Sequence, residues 1–279
     1  MPELPEVETV VRGLRPDLEG AQLVHVEARR PDLRIPIPPE LSAQLTGKTV
    51  RSVTRRAKYI LIAMDDGQLL IIHLGMSGRM FIDQGDPALQ THDHVVLKTD
   101  RGVTIRLNDP RRFGLVTLDH VDTLDQHRLF AGAGPEPLGN GFNGPALAAA
   151  LNNRRSPLKA ALLDRKTVSG LGNIYVCEAL FFAGLSPNRL AVNVSGKQAE
   201  RLVTSIKQVL NKAIDAGGSS LRDYVQPSGE LGYFQHQWAV YGKEGEACPG
   251  CDCDIATTGG VRRIVQSNRS TFYCPRRQR

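Results

Sequence analysis

The spacing of apolar residues changes several times along this chain, and each change predicts a different kind of element. After the opening MPELPE, Val7, Val10, Val11 and Leu14 recur at helical intervals, with Pro5 near the first turn and Pro16 past the expected helix end. From about residue 21 to 121 the period shortens. LVHVEA, VRSVT, YILIAM, LLIIHL, HVVLKT, VTIRL and LVTL read as short strands, with Asp65-Asp66-Gly67 and Asp100-Arg101-Gly102 as hairpin connections. Many short strands at close spacing predict an antiparallel sandwich or barrel.

Gly132 to Pro145, GAGPEPLGNGFNGP, has the Gly and Pro content of a linker, and the pattern beyond it is helical. Leu202, Val203, Ile206, Val209, Leu210 and Ile214 line one face, Ser195 and Gln198 fit a capping box, and Gly217-Gly218 end the segment. From about residue 238 the chain becomes a short cysteine-bearing stretch with strand-like VRRIVQ and STFYC. That stretch is small enough to need a staple. No internal repeat interrupts this order of strands, linker, helices and cysteine segment, which predicts an α+β multidomain chain.

With 279 residues, 41% of them hydrophobic and 23% charged, the composition is that of a globular protein rather than a disordered or fibrous one. A net charge of +6 makes polyanions plausible partners but cannot by itself select them. The acidic start lacks the basic and apolar regions of a secretory signal, and no later apolar run approaches membrane-spanning length. A cytoplasmic protein without membrane association is expected. Cys248, Cys251, Cys253 and Cys274 cluster near the end of the chain, where a disulfide framework would be spread through a domain. The clustering suggests metal.

Removal of the initiator Met would leave Pro2 with a free secondary amine. Such an amine can attack an anomeric carbon and form an iminium that cannot shed its charge by losing a nitrogen proton, which makes it a durable electron sink. An α-amino group of pKa about 8 is also partly neutral near neutrality. Glu3 and Glu6 follow directly and are able to move protons to and from the sugar and the amine. Taken alone, a Met-Pro start is usually no more than a start, and acids in a first helical turn are usually dipole partners.

The combination is more specific than its parts. MPELPEVETVVRGL, RRAKYIL, HLGMSGRM, HDHV, NDPRRFG, GPEPL, SGLGNIYVCEALF, GYF, VYGKEGEACPGC and RSTFYCP, in this order over essentially the whole chain, closely resemble formamidopyrimidine-DNA glycosylases. The resemblance implies an N-terminal antiparallel β-sandwich, a helical domain with a helix-two-turn-helix, and a C-terminal β-hairpin zinc finger. It divides the chain into a catalytic domain at 1–131, a linker at 132–145, a DNA-binding helical domain at 146–237 and a finger at 238–279.

By the same resemblance, Pro2 is the Schiff-base nucleophile, Glu3 the acid-base group that helps open the sugar, Lys58 the proton donor for β-elimination and Arg269 a phosphate contact that assists δ-elimination. A solvated lysine at a strand start and a basic tail are the plainer readings of the last two residues. From Ile255 onward, however, six Arg and no Asp or Glu suit a phosphate-facing hairpin independently. His92, Arg111, Arg154 and Asn173 map to backbone binding, with the glycines beside Asn173 allowing helix-start amides near phosphate. His92 and His94 lack a fitting third ligand for a metal site. Extruding a damaged nucleotide leaves a hole in the stack, and Met76, Arg111 and Phe113 match the side chains that fill it; ordinary core is the alternative for Met76 and Phe113.

GGSSLRDYVQPSGELGY, 217–233, resembles the family's loop over the extruded base. The expected partner is double-stranded DNA containing an oxidised purine, 8-oxoguanine or a formamidopyrimidine, acted on by a monomer. An endonuclease VIII-like enzyme with a taste for oxidised pyrimidines is the nearest rival, disfavoured by MPELPE, HLGMSG and DPRRFG. Against a non-catalytic DNA-binding relative stand the intact Pro2, Glu3, Glu6, Lys58 and Arg269.

The finger departs from the family pattern, because Cys274-Pro275-Arg276 is followed by Arg277 where a cysteine is expected. A structural Zn2+ wants four ligands in a closed tetrahedron, and the extra Cys253 is the expected substitute beside Cys248, Cys251 and Cys274. Completion by Asp or water, or a hairpin without metal, stays open at this point.

Overall fold

The computed structural model describes residues 2–219, 231–252 and 254–279. The chain divides into two compact units, 1–131 with 214–235 and 132–213 with 236–279.

The first unit opens with helix α1 (Leu4–Leu18), which turns Val7, Val10, Val11, Leu14 and Leu18 inward. Pro16 lies inside this helix rather than beyond it. Pro16 cannot donate to the Arg12 carbonyl, a lost helical bond set against the complete burial that Leu18 gains by the extra residues. Strands β1 (Leu23–Ala28), β6 (Asp93–Thr99), β7 (Val103–Asn108) and β5 (Arg79–Gln84) form one antiparallel sheet in the order β1-β6-β7-β5. The second sheet runs β2 (Val50–Arg56), β3 (Tyr59–Met64), β4 (Gln68–His73) and β8 (Leu115–His120). A short helix α2 (Leu41–Leu45) adds Leu41 and Leu45 to the shared core.

Both sheets and α1 enclose a single core in which Val26, Leu97, Ile105 and Leu107 of one sheet join Val53, Ile60, Ile62, Leu70 and Ile72 of the other. This is the sandwich that the strand spacing predicts. On the outer face of the second sheet, Leu61, Ala63, Leu69 and Ile71 are also covered, by Phe130 among others. Burial on both faces explains why YILIAM and LLIIHL are continuous apolar runs without strict alternation.

In the second unit, α3 (Gly144–Leu151), α4 (Leu158–Leu163), α5 (Asn173–Ala183) and nearly all of α6 (Gly196–Asp215) make the helical part. The capping box is present at the start of α6: the Ser195 N–H donates to Gln198 Oε1 at 2.9 Å, and the Gln198 N–H to Ser195 Oγ at 3.4 Å. One helical turn, α7 (Ile255–Thr258), precedes the hairpin of β9 (Arg262–Gln266) and β10 (Arg269–Tyr273). Ser267 and Asn268 both have positive φ, 50° and 58°, as a two-residue hairpin turn with the right twist requires. The hairpin packs on α5 through Phe181, Cys177, Val261 and Phe272.

Among the described residues, no helix is long and apolar enough to cross a membrane.

Candidate active site and nucleic-acid interface

Pro2, Glu3 and Glu6 are all buried at the start of α1. Glu3 is the N-cap, with an extended backbone, and its N–H donates to Glu6 Oε2 at 2.7 Å in a reciprocal capping box. The other oxygen of Glu6 accepts the Ser219 N–H at 2.8 Å. One carboxylate therefore fixes the backbone directly after Pro2 and also the residue before segment 220–230. The loop assigned to 217–233 lies largely in that segment, outside the described residues. Its two ends are held side by side, with the Tyr233 N–H donating to the Ala216 carbonyl at 3.0 Å and that of Phe234 to Gly218 at 3.0 Å.

Lys58 sits in the tight turn between β2 and β3, after Ala57 with φ of 52°. Across the β3–β4 ladder Tyr59 pairs with His73, a residue that sequence reasoning passed over. Burial, then the positive charges of Lys58 and Arg34, push the His73 imidazole down to about 4, against a smaller opposing pull from Asp109. Its Nδ1 accepts the Gly75 N–H at 3.0 Å, which fixes the neutral ring and the start of the next turn. The motif HLGMSG contained His73, but nothing in its spacing distinguished it from a strand-end residue.

A pH dependence follows from this site. Between about 6.5 and about 4 the unfolded chain takes up a proton that native His73 refuses, so stability is present above this window and is lost as pH falls through it. The stability advantage of the protein over His73→Gln should shrink by about 2 kcal/mol between pH 7 and pH 5. Urea unfolding of both proteins at the two pH values measures this; a constant difference would show that His73 ionises normally.

Met76 and Phe113 stand out from the surface, 38% and 45% exposed, on two neighbouring turns. The Arg111 guanidinium lies 5.0 Å from the centre of the Phe113 ring. These turns touch through their backbones: a Cβ on Gly75 would lie 2.4 Å from the Phe113 carbonyl carbon, and Gly75 has a φ of +62°. His92 is exposed beside them, and its carbonyl accepts the Asp109 N–H at 3.0 Å. His94 is buried with Nε2 3.0 Å from the Asp109 carbonyl, and the two histidines belong to no metal-holding cluster among the described residues.

In the second unit, Arg154 pairs with Asp164 at 2.6 Å and donates to the Ala150 carbonyl, so its guanidinium is already oriented. Asn173 is the first residue of α5, after the N-cap Gly172, and its side-chain amide donates to the Ser270 carbonyl at 3.0 Å. Fully buried Lys159 donates to the same carbonyl at 3.1 Å and to Thr271 Oγ1 at 2.6 Å. The strand that begins with exposed Arg269 is thus pinned to α4 and α5. Among the residues named from sequence, the structure joins Pro2, Glu3 and Glu6 in one cap; Met76, Arg111 and Phe113 on one pair of turns, with His92 bonded beside them; and Asn173 with the neighbour of Arg269.

The sulfur atoms of Cys248, Cys251 and Cys274 lie within 4.8 Å of one another, with Cys248–Cys251 at 3.2 Å and Cys251–Cys274 at 3.6 Å. Thiolates 2.3 Å from a tetrahedral zinc ion stand about 3.8 Å apart, so these three positions fit three corners of such a site once Cys251, disulfide-bonded here, is reduced. Burial pushes the Cys248 thiol up, a cost that a bound cation would offset. Cys253, expected at the fourth corner, lies outside the described residues. Arg277 is turned away from the sulfurs. Its guanidinium donates to the Gly250 carbonyl at 2.7 Å and the Phe181 carbonyl at 3.1 Å and lies over the Phe181 ring at 4.9 Å, clamping the Cys248–Cys251 knuckle to α5.

The N-terminal domain model of formamidopyrimidine-DNA glycosylase matches residues 1–116, and that family's H2TH domain model matches residues 133–225. The formamidopyrimidine-DNA glycosylase of Rhodospirillum rubrum is 57% identical over 281 residues, covering 100% of both chains. That of Ruegeria pomeroyi is 54% identical, again with 100% coverage of both. Among solved structures, a mutant of the Lactococcus lactis enzyme in complex with Fapy-dG containing DNA aligns with a TM-score of 0.89 at 34% identity, covering 100% of each chain. The enzyme of Thermus thermophilus aligns with a TM-score of 0.85 at 39% identity, covering 99% of this chain and 98% of its own. By length, sequence and fold, the chain belongs to the formamidopyrimidine-DNA glycosylase family.

Proposed function

We propose that the protein is a bifunctional DNA glycosylase and abasic-site lyase that removes oxidised purines, 8-oxoguanine and formamidopyrimidines, from duplex DNA. The observation that carries this reading is full-length family membership together with a proline at position 2 whose neighbour, Glu3, caps α1. Solved relatives hold Fapy-dG containing DNA and abasic site containing DNA, the substrate and intermediate of such a reaction.

In this reading the Pro2 nitrogen forms a bond to C1′ of the extruded nucleotide as the damaged base departs. Glu3 supplies the proton that opens the sugar ring, leaving an iminium between Pro2 and the sugar. Glu6 acts by holding the Glu3 N–H, keeping the nucleophile and acid in register. Loss of a C2′ proton from the iminium then expels the 3′ phosphate, with Lys58 as the proton donor for this β-elimination, and Arg269 receives the phosphate expelled in the second, δ-elimination. Neutral His73 beside Lys58 adds no charge of its own at this position. His92, Arg111, Arg154 and Asn173 bind the DNA backbone, and Met76, Arg111 and Phe113 fill the space left by the extruded nucleotide. Incision of 8-oxoguanine:cytosine and thymine glycol duplexes, measured side by side, tests the substrate class. Preference for the first is expected; preference for the second would assign the pyrimidine-directed activity.

Cys248, Cys251 and Cys274, with Cys253 as the fourth ligand, would hold one zinc ion. The metal would supply a structural cross-link that holds the hairpin. Purified protein should contain about one zinc per chain, with a sharp fall in Cys253→Ser and retention in Arg277→Cys. Full occupancy in Cys253→Ser would remove Cys253 from the ligand set.

A further inference from the structure

We infer that Asp109 is a positioning residue that locks the two turns carrying Met76, Arg111 and Phe113 into one rigid wedge. The turns 74–78 and 109–114 have no regular structure of their own, yet they present three side chains whose relative placement matters. Asp109 is completely buried between them. Its Oδ1 accepts the Ser77 hydroxyl at 2.6 Å, and its Oδ2 accepts the Gly114 N–H at 2.7 Å, so one carboxylate grips both turns. Ser77 Oγ in turn accepts the Arg111 N–H at 3.2 Å, closing a ring from Asp109 through Ser77 to Arg111.

The backbone of Asp109 is fixed from the other side. Its carbonyl accepts the Arg112 N–H at 3.1 Å and faces His94 Nε2 at 3.0 Å, while its N–H is bound to the His92 carbonyl. Space is equally tight at Gly114, where a Cβ would lie 2.9 Å from Asp109 Oδ2 and 3.0 Å from the His73 carbonyl oxygen. Hydrogen bonds that consume both oxygens of a buried carboxylate, on donors from two different loops, act as a joint; an unmet partner there is costly. The joint keeps the Met76 tip and the Phe113 tip at one separation while DNA is distorted around them.

The function of the wedge rests on the glycosylase reading, but the joint does not, and the test separates the two. Asp109→Ala, Asp109→Asn and Ser77→Ala are compared by excision from a fully paired 8-oxoguanine:cytosine duplex, incision at a preformed abasic site, and amide hydrogen exchange. Asparagine can keep both links, its Oδ1 accepting the Gly114 N–H and its Nδ2 donating to Ser77 Oγ. Asp109→Ala should lose about tenfold or more on the paired duplex and less than about threefold at the abasic site, where less unstacking is needed. Asp109→Asn should recover most of that loss, and Ser77→Ala, which cuts one arm only, should fall between. The Gly114 and Arg111 amides should exchange faster in Asp109→Ala and return toward the parent in Asp109→Asn. Equal losses on both DNAs, or unchanged exchange at Gly114 and Arg111, would overturn the inference. Should the parent protein fail to incise damaged duplex at all, the glycosylase reading fails, and the exchange data still decide the joint.

Discussion

Protein that keeps Met1 or carries an N-terminal tag is expected to form no borohydride-trapped adduct with damaged DNA and to lose lyase activity altogether. A tag converts the Pro2 secondary amine into an amide, whose nitrogen lone pair is delocalised into the carbonyl and is not nucleophilic. A retained methionine does the same. Pro2→Gly should keep an α-amine but lose about 100-fold or more in turnover, because a primary amine on an unconstrained residue is held less well and its imine can shed the nitrogen proton. The backbone that follows Pro2 is fixed by the Glu6 hydrogen bond to the Glu3 N–H, so placement of the proposed nucleophile depends on this short stretch. Turnover and trapping yield on a preformed abasic site measure the effect. Undiminished trapping in the tagged protein would move the nucleophile elsewhere.

Glu178→Ala should be the most damaging single change to stability in the second unit. Glu178 is completely buried in α5, where Oε2 accepts the Ala239 N–H at 2.8 Å and Oε1 accepts those of Val240 and Tyr241 at 3.0 and 2.8 Å. Burial pushes its carboxyl up, and the three backbone donors counter it. Alanine leaves all three amides without an acceptor at the root of the finger, a loss of about 3–5 kcal/mol and a fall in Tm of about 10 °C. Glu178→Gln keeps one carbonyl oxygen and should lose less. Trp238, the one tryptophan, is buried next to this cluster and reports unfolding by its fluorescence. A shift of under about 2 °C in Glu178→Ala would mean that water replaces the carboxylate there.

Much of this architecture was legible from local pattern. The strands around LVHVEA, YILIAM and VTIRL and the capping box at Ser195 are features whose signals are complete within a few residues. Strand β5 was missed because its apolar stretch, Met80 to Ile82, is only three residues long between Arg79 and Asp83, and Phe81 faces Arg106 across the sheet rather than the core. Pro16 was misplaced because burial of Leu18, a tertiary gain, extends α1 past it. Long-range joints were invisible for the same reason. Neither the gift of both Asp109 oxygens to separate turns nor the grip of Glu178 on residues 239–241 has a spacing rule in the sequence. Glu6 reads in the sequence as a proton-moving group or as an acid in a first turn, while in the structure it ties Glu3 to Ser219. Arg277 was legible as a missing ligand but not as a clamp, since its partners lie on the knuckle and at the end of α5.

Borohydride trapping on an 8-oxoguanine:cytosine duplex, followed by peptide mapping of the adduct, tests the central claim most directly, because it reports damaged-base removal, iminium formation and the identity of the nucleophile together. The account predicts a covalent complex on damaged duplex and not on its undamaged counterpart, with the sugar remnant on the peptide that begins at Pro2. An adduct on Lys58 or any other lysine, or no adduct on the damaged duplex, would contradict it.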